Sequence, residues 1–413
     1  MDLLRFITAG SVDDGKSTLI GRLLYDSKNI LIDQLEALER STKNREDGSV
    51  DLALLTDGLR AEREQGITID VAYRYFTTPK RKFIIADAPG HVQYTRNMVT
   101  GASNANLIII LVDARHGVVE QTRRHSIIGS LLKIPHVVVA INKMDLVEYS
   151  QEVYNKIVED YTKVAAQLDL KDVYYIPISA LKGDNIVDKS TDITWYNGVA
   201  LLEYLEDIAV ESDINLTDSR FQVQLVIRPQ TEELHDYRGY AGKIMSGIYR
   251  KGDKVTVLPQ NMETTITKVE TGGVEVDEVF APQPAVLHLA DNIDISRGDS
   301  ITKSDNLPLV ANEMDALLCW MDEKPLIQGN RYLLMHNSRV VRAVVKSIEY
   351  KLDVNSLEHY PVDSDVRLNE VVKAKIRLAS SLVYDPYVKL SCNGSAVLID
   401  ETSNQTVAAV MLQ

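Results

Sequence analysis

Six short apolar runs alternate with helical stretches through the first half of the chain, and this alternation restricts the possible fold more than any other feature. The runs are Leu3–Ala9, Val71–Phe76, Phe83–Ala86, Leu107–Val112, Val137–Ile141 and Val173–Ile178. The stretches of helical periodicity are Thr18–Leu24, Gln93–Ala102, Gln121–Leu132, Gln151–Leu168 and Gly198–Leu205. Strands that are apolar on both faces and separated by helices are typical of a mostly parallel sheet covered on both sides. The sequence therefore predicts a doubly wound α/β domain, in which ligands bind at the carboxyl ends of the strands.

The pattern changes after an acidic, polar stretch between Asp207 and Ser219. Apolar residues then alternate with period two and glycines separate the runs, which indicates a small antiparallel barrel. A second break at Lys303–Asn312 precedes another set of strand-like runs, which includes Tyr387–Leu390. We expect an α/β domain followed by two antiparallel β-barrels, with boundaries at residues 1–210, 217–305 and 310–413.

Charge and cysteine content exclude several classes of protein. The chain has 45 Lys and Arg against 59 Asp and Glu, a formal net charge of −14. This acid excess argues against a broad nucleic-acid-binding face, which needs clustered Lys and Arg. Cys319 and Cys392 are too few for a disulfide framework. The first residues lack a signal-peptide pattern, and no apolar run approaches the roughly 20 residues that span a bilayer. We therefore expect a cytoplasmic protein that binds neither membrane nor nucleic acid.

The segment directly after the first strand, Gly10–Ser17, matches the phosphate-binding loop G-x-x-x-x-G-K-[ST]. In such a loop the backbone N–H groups and the following helix N-terminus bind polyphosphate, while Lys16 neutralises the β and γ oxygens and Ser17 binds Mg²⁺. A chance glycine turn is the alternative, and the strand before and the helix after disfavour it. The predicted nucleotide contacts of this loop are Gly10, Ser11, Val12, Asp13, Asp14, Gly15, Lys16, Ser17 and Thr18.

A second motif, Asn142-Lys143-Met144-Asp145, ends the fifth strand and points to guanine. The Asp145 carboxylate can accept hydrogen bonds from N1–H and the 2-amino group of guanine, whereas adenine would leave it unpaired. Lys143 can lie along the base, and Asn142 can tie this loop to the phosphate loop. Taken alone, the four residues fit a solvated loop better, and it is their place at a strand end downstream of the phosphate loop that favours guanine. The further contacts predicted here are Ser179, Ala180 and Leu181, with the Ala180 N–H meeting guanine O6.

Between these motifs lie two candidate sensors of the γ-phosphate. Asp87-Ala88-Pro89-Gly90 follows the third strand, where Asp87 can hold a Mg²⁺-bound water and the Gly90 N–H can reach the γ-phosphate. Thr68 could approach the metal while the γ-phosphate is present, although it also fits an ordinary residue entering a strand. His91 is the candidate for positioning the attacking water, although a lone histidine is more often structural. The predicted catalytic residues are His91, Gly90 and Lys16, and the predicted metal ligands are Ser17, Thr68 and Asp87.

These motifs together resemble the translation-factor class of GTPases. The resemblance rests on Lys16-Ser17, Ala61–Asp70, Asp87–His91, Asn142–Asp145 and Arg238–Gly247. An elongation or termination factor that delivers tRNA, or a free-standing signalling GTPase, would share most of these residues. Elongation factors carry Asp-His-Gly-Lys in the phosphate loop, however, whereas this chain has Asp13-Asp14-Gly15-Lys16.

The finer motifs closely resemble the large GTPase subunit of bacterial ATP sulfurylase. They are Asp13–Thr18, Leu19–Leu24, Asp51–Leu55, Asp70–Phe76, Tyr94–Met98, Asp113–Arg115 and Gln121–Ser126. The resemblance implies that hydrolysis of GTP, with Mg²⁺, drives adenylylation of sulfate by ATP to adenosine 5′-phosphosulfate and pyrophosphate. A small catalytic partner subunit would bind the ATP and sulfate. The chain has no nucleotidyl-transfer signature and no second phosphate loop, so we expect neither that active site nor a fused phosphosulfate kinase within it.

Two positions stand out within these motifs. Asp14 places a second carboxylate beside Asp13, which like-charge repulsion opposes unless the side chain turns away or meets a cation. The family motif shares this residue. Ala88 stands where Thr or Cys is commoner, and we expect little effect because that position contributes backbone.

Overall fold

The computed structural model describes residues 2–28, 71–89, 95–210, 213–229, 237–353, 356, 358–362 and 365–413. The chain divides into two compact units, the first of which contains residues 1–210. Each unit is described by itself below.

The first unit is built on a sheet in which one edge strand alone is antiparallel to its neighbour. Its strands are β1 Asp2–Ala9, β2 Ala72–Thr77, β3 Arg81–Asp87, β4 Leu107–Asp113, β5 His136–Asn142 and β6 Asp172–Pro177. They lie in the order β2-β3-β1-β4-β5-β6, and β2 is the antiparallel strand. Every residue of β4 and β5 is buried, as the continuous apolar runs predict for strands covered on both faces. The predicted mostly parallel sheet is confirmed.

Helices follow the strands of this sheet. They are α1 Lys16–Asp26, α2 Thr95–Ala102, α3 Glu120–Leu131, α4 Gln151–Gln167 and α5 Leu201–Asp207, with a 3₁₀ turn at Met144–Val147. Ser150 caps α4 by accepting a hydrogen bond from the Val153 N–H at 3.4 Å. The final helix begins later than the predicted Gly198, because Ala200 is still extended.

Strand register brings the ends of four strands to one edge of the sheet. Thr8 on β1 lies opposite Asp87 on β3, and Asp113 on β4 lies opposite Asn142 on β5. Because these strands are parallel, the loops after them lie side by side. The predicted motifs therefore lie along a single edge.

The second unit begins with a closed six-stranded antiparallel barrel. Its strands and their short additions are β7 Arg220–Ile227, β8 Gly239–Ser246, β9 Ile248–Arg250, β10 Lys254–Leu258, β11 Met262–Thr271, β12 Val274–Val276, β13 Glu278–Phe280, β14 Pro284–Leu289 and β15 Ser300–Lys303. The ring runs β10-β15-β7-β8-β14-β11 and is closed by pairing of β11 with β10. Phe221, Tyr249 and Val255 are fully buried in its own core.

A second closed six-stranded barrel follows. Its elements are β16 Leu309–Trp320, β17 Arg331–His336, β18 Arg339–Leu352, β19 His359–Tyr360, β20 Val371–Tyr384, the short helix α6 Ser391–Gly394, β21 Ser395–Ile399 and β22 Thr406–Leu412. The ring runs β17-β21-β22-β16-β20-β18 and is closed by pairing of β18 with β17. Trp320, Leu334 and Val345 belong to its separate core. Both predicted barrels are confirmed.

Two details of the barrel prediction are wrong. Tyr387–Leu390 is a turn and not a strand, because the Lys389 and Leu390 N–H groups both fold back onto the Pro386 carbonyl at 2.8 and 3.0 Å. The second break is shorter than Lys303–Asn312, since β16 already begins at Leu309. The boundaries at 1–210, 217–305 and 310–413 remain our proposal.

A buried ion pair joins the two barrels. Arg220 of β7 donates two hydrogen bonds to the Asp385 carboxylate, from Nε at 2.7 Å and from Nη2 at 2.8 Å. Both residues are 2% exposed. Asn393 donates a further bond to Asp385 Oδ2 at 2.7 Å. The charges are therefore paired and the carboxylate oxygens satisfied, which is the condition under which burial of charge is tolerated.

Candidate functional site

The phosphate loop has the backbone geometry that its sequence demands. Gly15, directly before α1, has φ of +93°, and Asp13 has φ of +69°. The Lys16 ammonium folds back over the loop and donates to the carbonyls of Gly10 and Ser11, each at 2.9 Å. Burial lowers the pKa of Lys16, while the nearby carboxylates of Asp87, Asp14 and Asp13 act to raise it. The loop thus places a cation at the start of the helix, where polyphosphate is bound in such loops.

The second acid of the loop has an internal role. The Asp14 carboxylate accepts a hydrogen bond from the Ser11 N–H at 2.5 Å, so it closes the loop on itself. Burial raises the pKa of Asp14, and the Ser11 N–H and the Lys16 ammonium act to lower it. Asp13, by contrast, is exposed. The repulsion expected between the neighbouring carboxylates is avoided because one turns inward and the other faces solvent.

Asn142 joins the phosphate loop to the loops that follow β5 and β6. Its side-chain amide donates to the Asp14 carbonyl at 2.7 Å, and its Oδ1 accepts from the Ala180 N–H at 2.9 Å. Asn142 is 1% exposed. A Cβ on Gly15 would lie only 2.5 Å from Asn142 Nδ2, so glycine is required there for space as well as for its positive φ. We refer to this bridge from Asp14 through Asn142 to Ala180 as the Asn142 strut.

The strut alters the expected role of Ala180. Its N–H is already bonded to Asn142, so a contact with guanine O6 would require that hydrogen bond to be shared. The carbonyls of Ala180 and Leu181 accept hydrogen bonds from Arg22 of α1 at 3.3 and 2.5 Å. Arg22 was not among the predicted site residues, and the only signal for it was its place in the Leu19–Leu24 motif.

Asp145 is held by its neighbours in a defined orientation. The fully buried Ser179 donates from Oγ to Asp145 Oδ1 at 2.7 Å. Met144 is fully buried and its N–H bonds to the Ile178 carbonyl at 3.2 Å, which anchors the turn. Asp145 itself is partly exposed, and its Oδ2 is not used by any hydrogen bond within the described ranges. This leaves a carboxylate oxygen for a ligand.

Lys143 is held by an acid that the sequence reasoning did not assign to the site. Its ammonium lies 2.9 Å from Asp113 Oδ2, and Arg115 also bonds this carboxylate, from Nη2 at 2.7 Å. Burial acts to raise the pKa of Asp113, yet the hydrogen bonds from Arg115 and Lys143 hold it well below its usual range. The available signals were its place at the end of β4, on the same edge as Asn142, and its place in the Asp113–Arg115 motif.

Asp87 lies at the same edge in a buried position. It is 2% exposed, and the Thr8 hydroxyl donates to its Oδ1 at 3.2 Å. Ser17, in the first turn of α1, is partly exposed, and no hydrogen bond of its hydroxyl lies within the described ranges. A carboxylate and a hydroxyl are the oxygen donors that Mg²⁺ takes beside nucleotide phosphates, so these residues fit such an ion. Ala88 and Pro89 are buried beside Asp87. Thr68, Gly90 and His91 lie outside the described residues.

Other chemistries find little support in the described parts of the chain. They contain no cluster of three His, Cys, Asp or Glu side chains that could hold a metal ion. Every helix in the described ranges is too short or too polar to cross a bilayer. Within the phosphate loop, the buried Ser11 Oγ makes no hydrogen bond to any residue that the structure describes.

Comparison with protein families identifies the class. Residues 1–219 match the family model of the elongation factor Tu GTP binding domain, and residues 313–413 match that of the GTP-eEF1A C-terminal domain-like family. The chain therefore carries the GTP-binding domain of that class. A solved structure of sup35 complexed with GDP matches 100% of this chain and 93% of that one at 21% identity and a TM-score of 0.45, too distant to bear on function.

Curated relatives identify the family more narrowly. Sulfate adenylyltransferase subunit 1 of Bacteroides fragilis strain YCH46 is 53% identical over 413 residues, 100% of this chain and 86% of that protein. The bifunctional enzyme CysN/CysC of Mycobacterium tuberculosis strain H37Rv is 53% identical over 411 residues, 99% of this chain and 67% of that protein. The chain belongs to the sulfate adenylyltransferase subunit 1 family. Since relatives named as bifunctional enzymes are longer than this chain, the expectation about a fused kinase applies to these 413 residues alone.

Proposed function

We propose that this chain is the GTP-hydrolysing subunit of a sulfate adenylyltransferase. Hydrolysis of GTP would drive the unfavourable transfer of the adenylyl group of ATP to sulfate, giving adenosine 5′-phosphosulfate and pyrophosphate. The family relationship over the whole chain supports the assignment to sulfate activation. The observation that carries the GTP part is the Asn142 strut, because it fixes the loop that would bind phosphates relative to the loop that would bind the base.

Each part of GTP has a proposed partner along the edge of the sheet. Backbone N–H groups of residues 10–18 and the Lys16 ammonium would bind the phosphates, in agreement with the buried cation at the start of α1. The open oxygen of Asp145, oriented by Ser179, would accept from the guanine edge. Ser17 and Asp87 would hold Mg²⁺, which supplies charge neutralisation at the phosphates when bound.

Hydrolysis itself is assigned to residues that lie outside the described ranges. We propose that His91 positions the attacking water, that the Gly90 N–H contacts the γ-phosphate and that Thr68 completes the metal ligands. Contacts that depend on the γ-phosphate are lost on hydrolysis, which makes them suited to a switch. The buried Asp87 lies directly before this segment, so a change at the γ-phosphate would reach the end of β3.

The adenylyl transfer is assigned to a second chain. The relatives are named as subunit 1, which supports an assembly with another subunit. We propose a small catalytic partner that binds ATP and sulfate. A cytoplasmic location is part of the same proposal, in agreement with the two unpaired cysteines.

The test is a GTPase assay on the purified chain, alone and with the co-expressed small subunit, with and without ATP and sulfate. We expect GTP hydrolysis to rise when both substrates and the partner are present, with synthesis of adenosine 5′-phosphosulfate. His91→Ala should lower hydrolysis by roughly 10²–10⁴-fold and leave GTP binding intact. Hydrolysis independent of ATP and sulfate, together with tight GTP-dependent binding of aminoacyl-tRNA, would instead indicate a translation factor.

A further inference from the structure

The outer face of the third domain's barrel carries a ladder of basic and apolar side chains. On β17 and β18 the cross-strand pairs are Arg331 with Val344, Leu333 with Arg342, and Met335 with Val340. Alternate residues of a strand face the same side, so these six side chains share one face. Arg377 of β20 lies opposite Val344 from the other side, which places a third arginine beside the ladder.

The arginines surround an open cleft of about 420 Å³. Its lining includes Arg331, Arg342, Arg377 and a single acid, Glu401, whose Oε1 lies 3.4 Å from Arg342 Nε. Among the described residues, neither Arg331 nor Arg377 has a carboxylate oxygen within 4.0 Å, although Glu313 of β16 lies opposite Arg377 and attracts it at longer range. The barrel neutralises a neighbouring cation on the same face, since Lys346 lies 2.9 Å from Glu313. An excess of positive charge thus remains in one cleft of a chain whose net charge is −14.

Apolar side chains adjoin the cleft on the same ladder. Met335 is 40% exposed and Val340, directly opposite it, is 53% exposed. Exposed arginine and methionine beside apolar surface is the composition found at protein interfaces, where arginine often contributes much of the binding energy. A free oxyanion would use the guanidinium groups and leave the apolar pair unused, so the combination favours a protein segment.

We propose that this face, made of Arg331, Arg342, Arg377, Met335 and Val340, docks an acidic segment of the partner catalytic subunit. The identity of the partner rests on the proposed function. Arg331 and Arg377 lie on either side of Val344, so their α-carbons are two strand spacings apart, each of about 4.8 Å. The two arginines can therefore pair with successive carboxylates on one extended segment. Glu401 then competes with that segment for Arg342.

The test compares affinity for the purified small subunit by isothermal titration calorimetry. The double variant Arg331→Glu with Arg377→Glu should weaken binding at least about tenfold, because reversed charges repel an acidic segment. Arg367→Glu is the matched control, since this exposed arginine lies in the same barrel, ten residues before Arg377. It should bind within about twofold of the wild type. Glu401→Gln should bind more tightly, and raised salt should weaken the wild type more than the double variant.

The outcomes separate this inference from the proposed function. If the double variant binds as tightly as the wild type and supports GTP-stimulated synthesis, the docking face is wrong and the proposed function stands. If the wild type neither binds the subunit nor supports synthesis, both are overturned. Arginine-dependent binding of inorganic sulfate by the isolated chain, with unchanged subunit affinity, would show a small-anion site and overturn docking. Unchanged melting temperatures and basal GTPase rates establish that the variants are folded.

Discussion

Replacing Asn142 by alanine tests the central feature of the site. The substitution removes both hydrogen bonds of the Asn142 strut, to the Asp14 carbonyl at 2.7 Å and from the Ala180 N–H at 2.9 Å. It leaves a backbone acceptor and a backbone donor without their partners at a position that is 1% exposed. The phosphate loop and the loops after β5 and β6, which are proposed to bind the base, would then no longer be held at a fixed separation.

The size of the effect follows from these two bonds. An unsatisfied buried polar group costs about 1–3 kcal/mol, so the two together cost about 2–6 kcal/mol. If the loss of one of these bonds, about 1–3 kcal/mol, weakens nucleotide binding, GTP affinity falls between about fivefold and about 150-fold. The rest appears as a lower free energy of unfolding. Asn142→Asp should be no better, since its second oxygen would face the Asp14 carbonyl without a proton to donate.

Asn185→Ala supplies the matched control. Asn185 is 2% exposed and also makes two backbone contacts, donating to the Pro177 carbonyl at 2.9 Å and accepting from the Ser190 N–H at 2.8 Å. It has no bond to the phosphate loop, so it should lower stability comparably and change affinity much less. Affinity is measured with a fluorescent GTP analogue, and stability by urea denaturation. Equal affinity losses in the two variants, or none in Asn142→Ala, would refute the reasoning.

Three further predictions concern single residues. Asp145→Asn should lower affinity for GTP and raise it for xanthosine triphosphate, whose exocyclic oxygen replaces the amino donor; competition binding measures both, and unchanged GTP affinity contradicts the guanine assignment. Asp113→Asn should destabilise the chain at neutral pH through loss of the Lys143 pair. Because the folded pKa of Asp113 is depressed, the difference from wild type should shrink as the pH falls below the unfolded value of about 3.9, and a pH-independent difference in urea denaturation contradicts this. Arg220→Ala should lower stability by about 3–5 kcal/mol because it leaves Asp385 buried and uncompensated, and pairing Arg220→Met with Asp385→Leu should recover much of it in thermal denaturation.

Sequence periodicity was sufficient for the architecture because each element is specified locally. Continuous apolar runs predict buried parallel strands, and alternation with glycine turns predicts antiparallel barrels. The failures lie where a local pattern was overridden. Tyr387–Leu390 has strand-forming residues, yet the preceding Pro386 accepts two backbone bonds and turns the chain. The short strand β15 was not predicted, although its pairing with β7 and β10 is needed to complete a barrel.

The residues missing from the predicted site are those whose role depends on distant partners. Arg22 contacts a loop 159 residues away in sequence, and no spacing within α1 indicates this. Asp113 acts through Lys143, which lies beside it only because β4 and β5 are parallel and in register. The hydrogen bond that turns Asp14 inward joins residues only three apart in sequence. It forms only in this loop conformation, which the identity of the residue does not predict. Motif spacing thus predicts which residues face a ligand better than it predicts which residues hold them in place.

The supporting contacts bear on how such a site would respond to hydrolysis. Asn142 ties the loops after β5 and β6 to each other and to the phosphate loop. Lys143 further ties the first of these loops to β4, and Arg22 ties the second to α1. These attachments leave both loops little freedom to move when a phosphate is lost, so the proposed base contacts should be the same with GTP and GDP. A switch needs an element with two arrangements that the γ-phosphate distinguishes. In the proposed function that element has to include the segment after Asp87, and any signal to a partner has to start from there.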